Sequence, residues 1–223
     1  MTNQIISLSA YPEGFHDEAD ELTADMFASD IPLQHSHDYY CDEDLGLYVG
    51  VWDTDTMDET PGPYGMEEFM VVLEGQAQIK NNKTGNIETI KAGEGFVIPK
   101  GYDCQWQQQG YLKKFYVILD NDTLAPGNSE VDSVALFKTS QTNKVFINEQ
   151  NTFKAGICNS TEYIKANNEH RFIYVLSGSL TVKSSSHKEQ TFTASESIFI
   201  KNNEHLDCNI SDDFKAYFCN VVV

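Results

Sequence analysis

Between residues 45 and 119 the chain alternates short apolar runs with glycine-marked turns, the pattern of paired antiparallel strands. The runs are LGLYVGVWD (45–53), EEFMVVLEG (67–75), GFVI (95–98) and YLKKFYVIL (111–119), with Gly75, Gly85, Gly93 and Gly101 as turn residues. Side chains on a strand alternate, so Glu68, Met70 and Val72 share one face of 67–73 and Glu67, Phe69 and Val71 the other. The same period puts Cys104 and Trp106 on one face of their strand. Between the strands, 54–65 (TDTMDETPGPYG) is an acidic Pro/Gly loop of the kind that often rims a binding site. Residues 17–30 (DEADELTADMFASD) read as a short helix or a solvated arm, and 120–133, with Pro126-Gly127, as a linker.

The pattern then repeats. FIYVLSGSLTV (172–182) mirrors FMVVLEGQAQI (69–79), SESIFIKNNEHLDC (195–208) mirrors GEGFVIPKGYDCQW (93–106), and GICN (156–159) stands where GVWD (50–53) does. The chain therefore divides into an arm (1–32), a first β domain (33–122), a linker (123–133) and a second β domain (134–223). In the second copy Arg171 takes the position of Glu68, Leu206 that of Cys104 and Cys208 that of Trp106. A cation and an aliphatic side chain cannot hold a divalent metal. His170 and His205 fall one residue away from those positions, so alternation turns them to the opposite face, where a surface or interface role is expected.

Composition narrows the function. Acidic residues outnumber basic ones 34 to 15, a net charge of −19 that repels phosphate backbones and anionic lipid, so neither nucleic acid nor membrane is an expected partner. Aromatics make up 12% of the chain, enough with the aliphatic residues for sizeable β cores. The five cysteines form no CxxC pair, which argues against a zinc knuckle and a disulfide framework. The first residues have no basic n-region followed by an apolar run, so the expected location is the cytoplasm.

The spacing Glu68-x6-Gly75 and Gly93-x5-Pro99-x-Gly101-x2-Cys104 resembles the two motifs of cupins, small jelly-roll barrels whose lumen holds a metal or ligand. With GVWDT (50–54), KKFYVIL (113–119) and the Cys-x-Trp pair, the set looks like the ureidoglycine aminohydrolase-type cupin family. The resemblance implies an all-β chain of two tandem cupin barrels, with the Glu68 face as lumen. It also implies a metal, manganese in the family's namesake, held by histidines that this sequence lacks: Gly62, Pro63 and Tyr64 stand where His-x-His is usual, and Cys104 replaces a histidine. In that namesake the metal belongs to the C-terminal cupin, the copy that is degenerate here. His35-Ser36-His37 has metal-ligand character but lies outside the matched motif, and an exposed loop or edge-strand pair is expected there.

No cofactor is therefore expected; the alternative is Mn or another divalent transition metal on Glu68 with Cys104. Glu68, Met70, Cys104, Trp106, Tyr64 and Tyr116 are the expected ligand-binding residues, with Glu68 as candidate general acid or base and Cys104 as candidate nucleophile. Two functions follow. One is a small-molecule-binding protein whose acidic, aromatic lumen takes a polar, amine-bearing ligand. The other is a hydrolase of a small nitrogenous compound. Open barrel edges suit a homodimer by strand or sheet pairing.

Overall fold

The computed structural model describes residues 4–165, 168–184 and 188–222. Among them the only helix is a single 3-10 turn, Ala24–Met26, which is all that the acidic 17–30 stretch forms. No helix is long and apolar enough to cross a membrane. The all-β expectation holds, and the strands gather into two compact units.

Strand β1 (Ile5–Leu8) comes first. The unit Ala10–Lys138 then holds β2 (Gln34–Asp42), β3 (Leu47–Thr54), β4 (Met57–Asp58), β5 (Gly62–Pro63), β6 (Glu67–Glu74) and β7 (Gln76–Asn81). It continues with β8 (Ile87–Lys91), β9 (Gly95–Ile98), β10 (Asp103–Gln108), β11 (Leu112–Leu119) and β12 (Ala135–Phe137). Its larger sheet runs β12-β9-β6-β11-β3-β2 and its smaller one β4-β10-β7-β8, with β5 also on β10. The inward faces pack as a jelly roll: Met70 and Val72 on β6 and Phe96 and Ile98 on β9 meet Met57, Ile79 and Trp106 from the smaller sheet. The two sheets are separate hydrogen-bonded ladders, so the barrel is open at its seams. Gly75 turns the tight β6–β7 hairpin at φ +75°, where a Cβ would strike the carbonyl of Tyr111.

The second unit holds β13 (Val145–Ile147), β14 (Phe153–Cys158), β15 (Glu169–Ser177), β16 (Ser179–Ser184), β17 (Gln190–Thr193), β18 (Ser197–Ile200), β19 (Leu206–Ile210) and β20 (Lys215–Val222). Its larger sheet runs β1-β18-β15-β20-β14-β13 and its smaller one β17-β16-β19. Strand for strand the larger sheet repeats that of the first unit, except that β1 from the N-terminus takes the edge that β12 occupies there, while among the described residues the smaller sheet lacks counterparts of β4 and β5. Arg171 is fully buried on β15, its guanidinium donating to the carbonyls of Ile164, Lys201 and Glu204 at 2.9–3.1 Å. Leu206 and Cys208 belong to the apolar core of this unit.

The boundaries differ from those expected at residues 32, 122 and 134. Ile5–Leu8 is a paired strand with Ile5 and Leu8 buried, and Phe15 and Phe27 are buried as well, so the described part of the expected arm, residues 4–32, is docked. The segment is too short and too polar around its four strand residues for periodicity to register. At the other end Ala135–Phe137 pairs with β9 of the first unit, so the division falls after Lys138. His170 also departs from its surface expectation: it is buried and stacked on Phe199 with ring centroids 5.6 Å apart, while His205 is exposed.

If β1 completes the second unit, Ile5→Ala should cost about 2–4 kcal/mol in urea unfolding. Hydrogen exchange should then show amide protection lost first at Ser197–Ile200, the strand it pairs with. Unchanged protection there would contradict the pairing.

Candidate functional site

The lumen of the first unit is built from four adjacent strands of the larger sheet. Cross-strand register sets Trp52 on β3 opposite Lys114 on β11, and Tyr116 on β11 opposite Met70 on β6. Alternation then points Trp52, Lys114, Tyr116 and Glu68 to the same side, where they line a cavity of about 390 Å³. Glu59 and Tyr64, from the acidic loop between β3 and β6, close one side with Trp106 of β10. The loop expected to rim the site does so.

At the centre is a buried ion pair. Lys114 Nζ donates to Glu68 Oε1 at 2.8 Å, and both side chains are less than a tenth exposed. The ammonium lies 4.6 Å from the ring centroid of Trp52 and 4.7 Å from that of Trp106, with the Met70 sulfur at 3.1 Å. Two indole faces and a carboxylate thus replace the water that the ammonium gave up. The second oxygen of Glu68 accepts from the Tyr64 hydroxyl in a short hydrogen bond. Burial, together with the charges of Glu68 and Glu59, holds the Tyr64 phenol well above its ordinary range, so it stays a donor. Tyr116 donates to Asp38 at 2.6 Å, and Gly50 beneath it provides the room, since a Cβ there would collide with the phenol.

Glu59 differs from its neighbours. Among the described residues none donates a hydrogen bond to its carboxylate. Burial pushes its pKa up to about 7; the Lys114 charge opposes that rise and the Glu68 charge adds to it. The cavity therefore contains one carboxyl that is unpartnered and titrates near neutrality.

The residues expected from sequence separate into two groups. Glu68, Trp106, Tyr64 and Tyr116 line the cavity, whereas Met70 and Cys104 belong to the apolar cluster around it. Burial, with the charges of Glu59 and Asp103, raises the Cys104 thiol to about 12, so at neutral pH it is a protonated core residue without nucleophilic character. Lys114, Glu59, Trp52 and Asp38 went unassigned. For Lys114 the signal was present, because an apolar strand rarely turns a lysine toward the face of its aromatic residues. For Glu59 there was none beyond its loop.

The lumen does not fit a transition metal. Its motif carboxylate, Glu68, is tied to an ammonium and a phenol, and no histidine is among the lining residues. His35 is turned away from Glu68: it pairs in register with Asp53, one residue before lumen-facing Ser36, and its Nδ1 is 3.0 Å from Asp53 Oδ1. His37 packs edge-on against Tyr39 at 4.7 Å.

Against known proteins, residues 46–116, within the first unit, match the model of the EutQ-like cupin domain. No curated protein matches. Among solved structures, a protein of unknown function of the DUF861 family from Pseudomonas syringae pv. tomato superposes with a TM-score of 0.71 at 13% identity, covering 98% of this chain and 99% of that one. A cupin 2 conserved barrel domain protein from Leptotrichia buccalis gives 0.59 at 14% identity over 85% and 89%. Protein Ylba from E. coli, also of the DUF861 family, gives 0.58 at 12% identity over 93% and 88%. At these identities the likeness establishes the fold.

Removing the ammonium alone leaves Glu68 buried without its counter-charge, so Lys114→Met should cost about 3–5 kcal/mol in urea unfolding. Adding Glu68→Gln to that variant should recover most of the loss. Equal stability of the single and double variants would show that the pair is not coupled.

Proposed function

We propose that this cupin-type chain binds a small organic cation, of the amine class, in the lumen of its first unit, and does so without a metal. The observation that carries the reading is Glu59, a carboxylate facing the cavity with no donor of its own. Around it the lining is unbalanced: Asp20, Asp38, Glu59 and Glu68 are acidic, and Lys114 is the one lysine or arginine. Trp52, Trp106, Tyr48, Tyr64 and Tyr116 supply aromatic faces, and an organic cation pairs with both kinds of group. A cavity of about 390 Å³ suits a small molecule.

Hydrolysis has less support. Glu68, its expected acid or base, is committed to Lys114 and Tyr64, and Cys104 is a protonated thiol in the core. The matching strand orders of the two units support reading the chain as two cupins in tandem, with Arg171 filling the place of Glu68 in a second lumen that has become core.

A thermal-shift screen of primary to quaternary amines should find ligands that raise the melting temperature, confirmed by calorimetry. Only the ionised form of Glu59 attracts a cation, and its pKa is about 7, so affinity should rise with pH between 6 and 8 and level off above. Glu59→Gln should lower affinity at pH 8 about tenfold or more and flatten that pH dependence. Hits confined to anions, or an unchanged affinity in Glu59→Gln, would overturn the reading.

Folding stability should move the other way. The folded Glu59 binds its proton more tightly than the ordinary carboxyl at 4.5, so stability falls as pH rises from about 4.5 to 7. Glu59→Gln should therefore stabilise the ligand-free protein at pH 8 by on the order of 1 kcal/mol, seen as a higher urea midpoint.

A further inference from the structure

The reverse face of the same sheet carries a second polar cluster that the lumen does not use. Register places His35 of β2, Asp53 of β3 and Lys113 of β11 in one row across three strands, each one residue out of phase with the lumen-facing Ser36, Trp52 and Lys114. His16 comes down on this row from the segment after β1. Its Nε2 lies 2.8 Å from Asp53 Oδ2, and His35 Nδ1 lies 3.0 Å from Oδ1. Asp53 and His35 are buried, while the His16 side chain is 53% exposed and leaves one side of the cluster open.

We propose that His16, His35 and Asp53 form a binding site for one divalent transition-metal ion of the zinc, nickel or copper class, with its remaining coordination open to solvent beside His16. Two imidazoles and a carboxylate are a three-ligand protein set of the kind that leaves a position free. Imidazole nitrogen selects these ions over calcium or magnesium. The geometry is close to complete. All three ligand atoms lie within 4.8 Å of one another, and a tetrahedral ion with bonds of about 2.0–2.1 Å sets its ligands about 3.3 Å apart. The two imidazoles already meet the two oxygens of Asp53 at 2.8 and 3.0 Å, and an ion would draw the ligand atoms from within 4.8 Å of one another to the tetrahedral spacing. Each imidazole turns a nitrogen toward Asp53, and a change of tautomer frees it while keeping the proton on the other ring nitrogen. Behind the ligands, Tyr111 donates to Asp53 Oδ2 at 2.6 Å and fixes the carboxylate, the outer-sphere support that metal sites use.

Lys113 works against occupancy. Its ammonium is 3.8 Å from Asp53 Oδ2, fully buried, without a hydrogen-bond partner among the described residues, and 3.6 Å from the ring centroid of Tyr11. In the metal-free protein it is the counter-charge of Asp53, and a divalent ion arriving at the carboxylate must overcome that repulsion. The site is therefore a competition between an internal cation and an external one, and removing the internal one should strengthen metal binding.

The test is calorimetric titration of the untagged full chain with zinc or nickel chloride. The wild type should bind one ion per chain. His16→Gln changes an exposed side chain and should leave folding intact while lowering affinity about tenfold or more; Asp53→Asn should do the same if it folds. Lys113→Met should tighten binding about tenfold, and His205→Gln, at an exposed histidine of the second unit, should leave it unchanged. No binding by the wild type, binding that survives His16→Gln, or binding lost with His205→Gln would each overturn the site. An affinity unmoved by Lys113→Met would overturn the competition.

Discussion

The ion pair between Lys114 and Glu68 is the constraint around which the first unit is arranged. Burying a lysine and a glutamate inside a β sandwich is costly unless each finds good partners. The lumen provides them: two indole faces and a thioether for the ammonium, a phenol for the second carboxylate oxygen. Once those groups are committed, the remaining chemistry of the cavity is what they leave over. That remainder is one unpaired carboxyl, Glu59, among aromatic walls.

This arrangement puts a fixed internal cation beside the motif glutamate. The lysine cannot leave, its strand is hydrogen-bonded on both sides, and its charge already answers that of Glu68. A ligand entering the cavity therefore meets Glu59 as the acid still to be matched. The second unit has followed a different course at the same strand position. Arg171 there meets backbone carbonyls instead of an acid and ties two loop segments, before β15 and between β18 and β19, together as a structural cation. Both solutions place a buried positive charge in a sheet interior, and the difference in partner separates a cavity from a core.

Much of the fold was legible in the sequence because strands declare themselves through period-2 alternation and glycine turns, and because a repeat of the whole pattern is visible without structure. The division after Lys138 and the docking of Ile5–Leu8 were not legible, since pairing across nearly two hundred residues leaves no local signature. At the site, alternation put Glu68 on one face of β6 and Trp106 on the same face as Cys104, and both Glu68 and Trp106 line the cavity, as does Tyr116, whose facing alternation left open. It misplaced emphasis on Cys104, because a motif position names a residue without revealing that its surroundings are dry. Lys114 was overlooked as one half of a lysine doublet, yet the two lysines face opposite sides of the sheet and do opposite things. Lys114 is paired to Glu68, and Lys113 is held near Asp53 without a hydrogen bond. Glu59 depends on which way a loop folds, and no periodicity reports that.

The most direct test of this account is carbon-detected NMR titration of the Glu59 side-chain carboxyl, assigned by comparison with Glu59→Gln, in the free protein and with a saturating amine. The account predicts a midpoint near 7 in the free protein that falls by a unit or more when the amine is bound, because a cation favours the ionised carboxylate. A free midpoint at the ordinary 4.5, or one that the amine leaves unmoved, would contradict it.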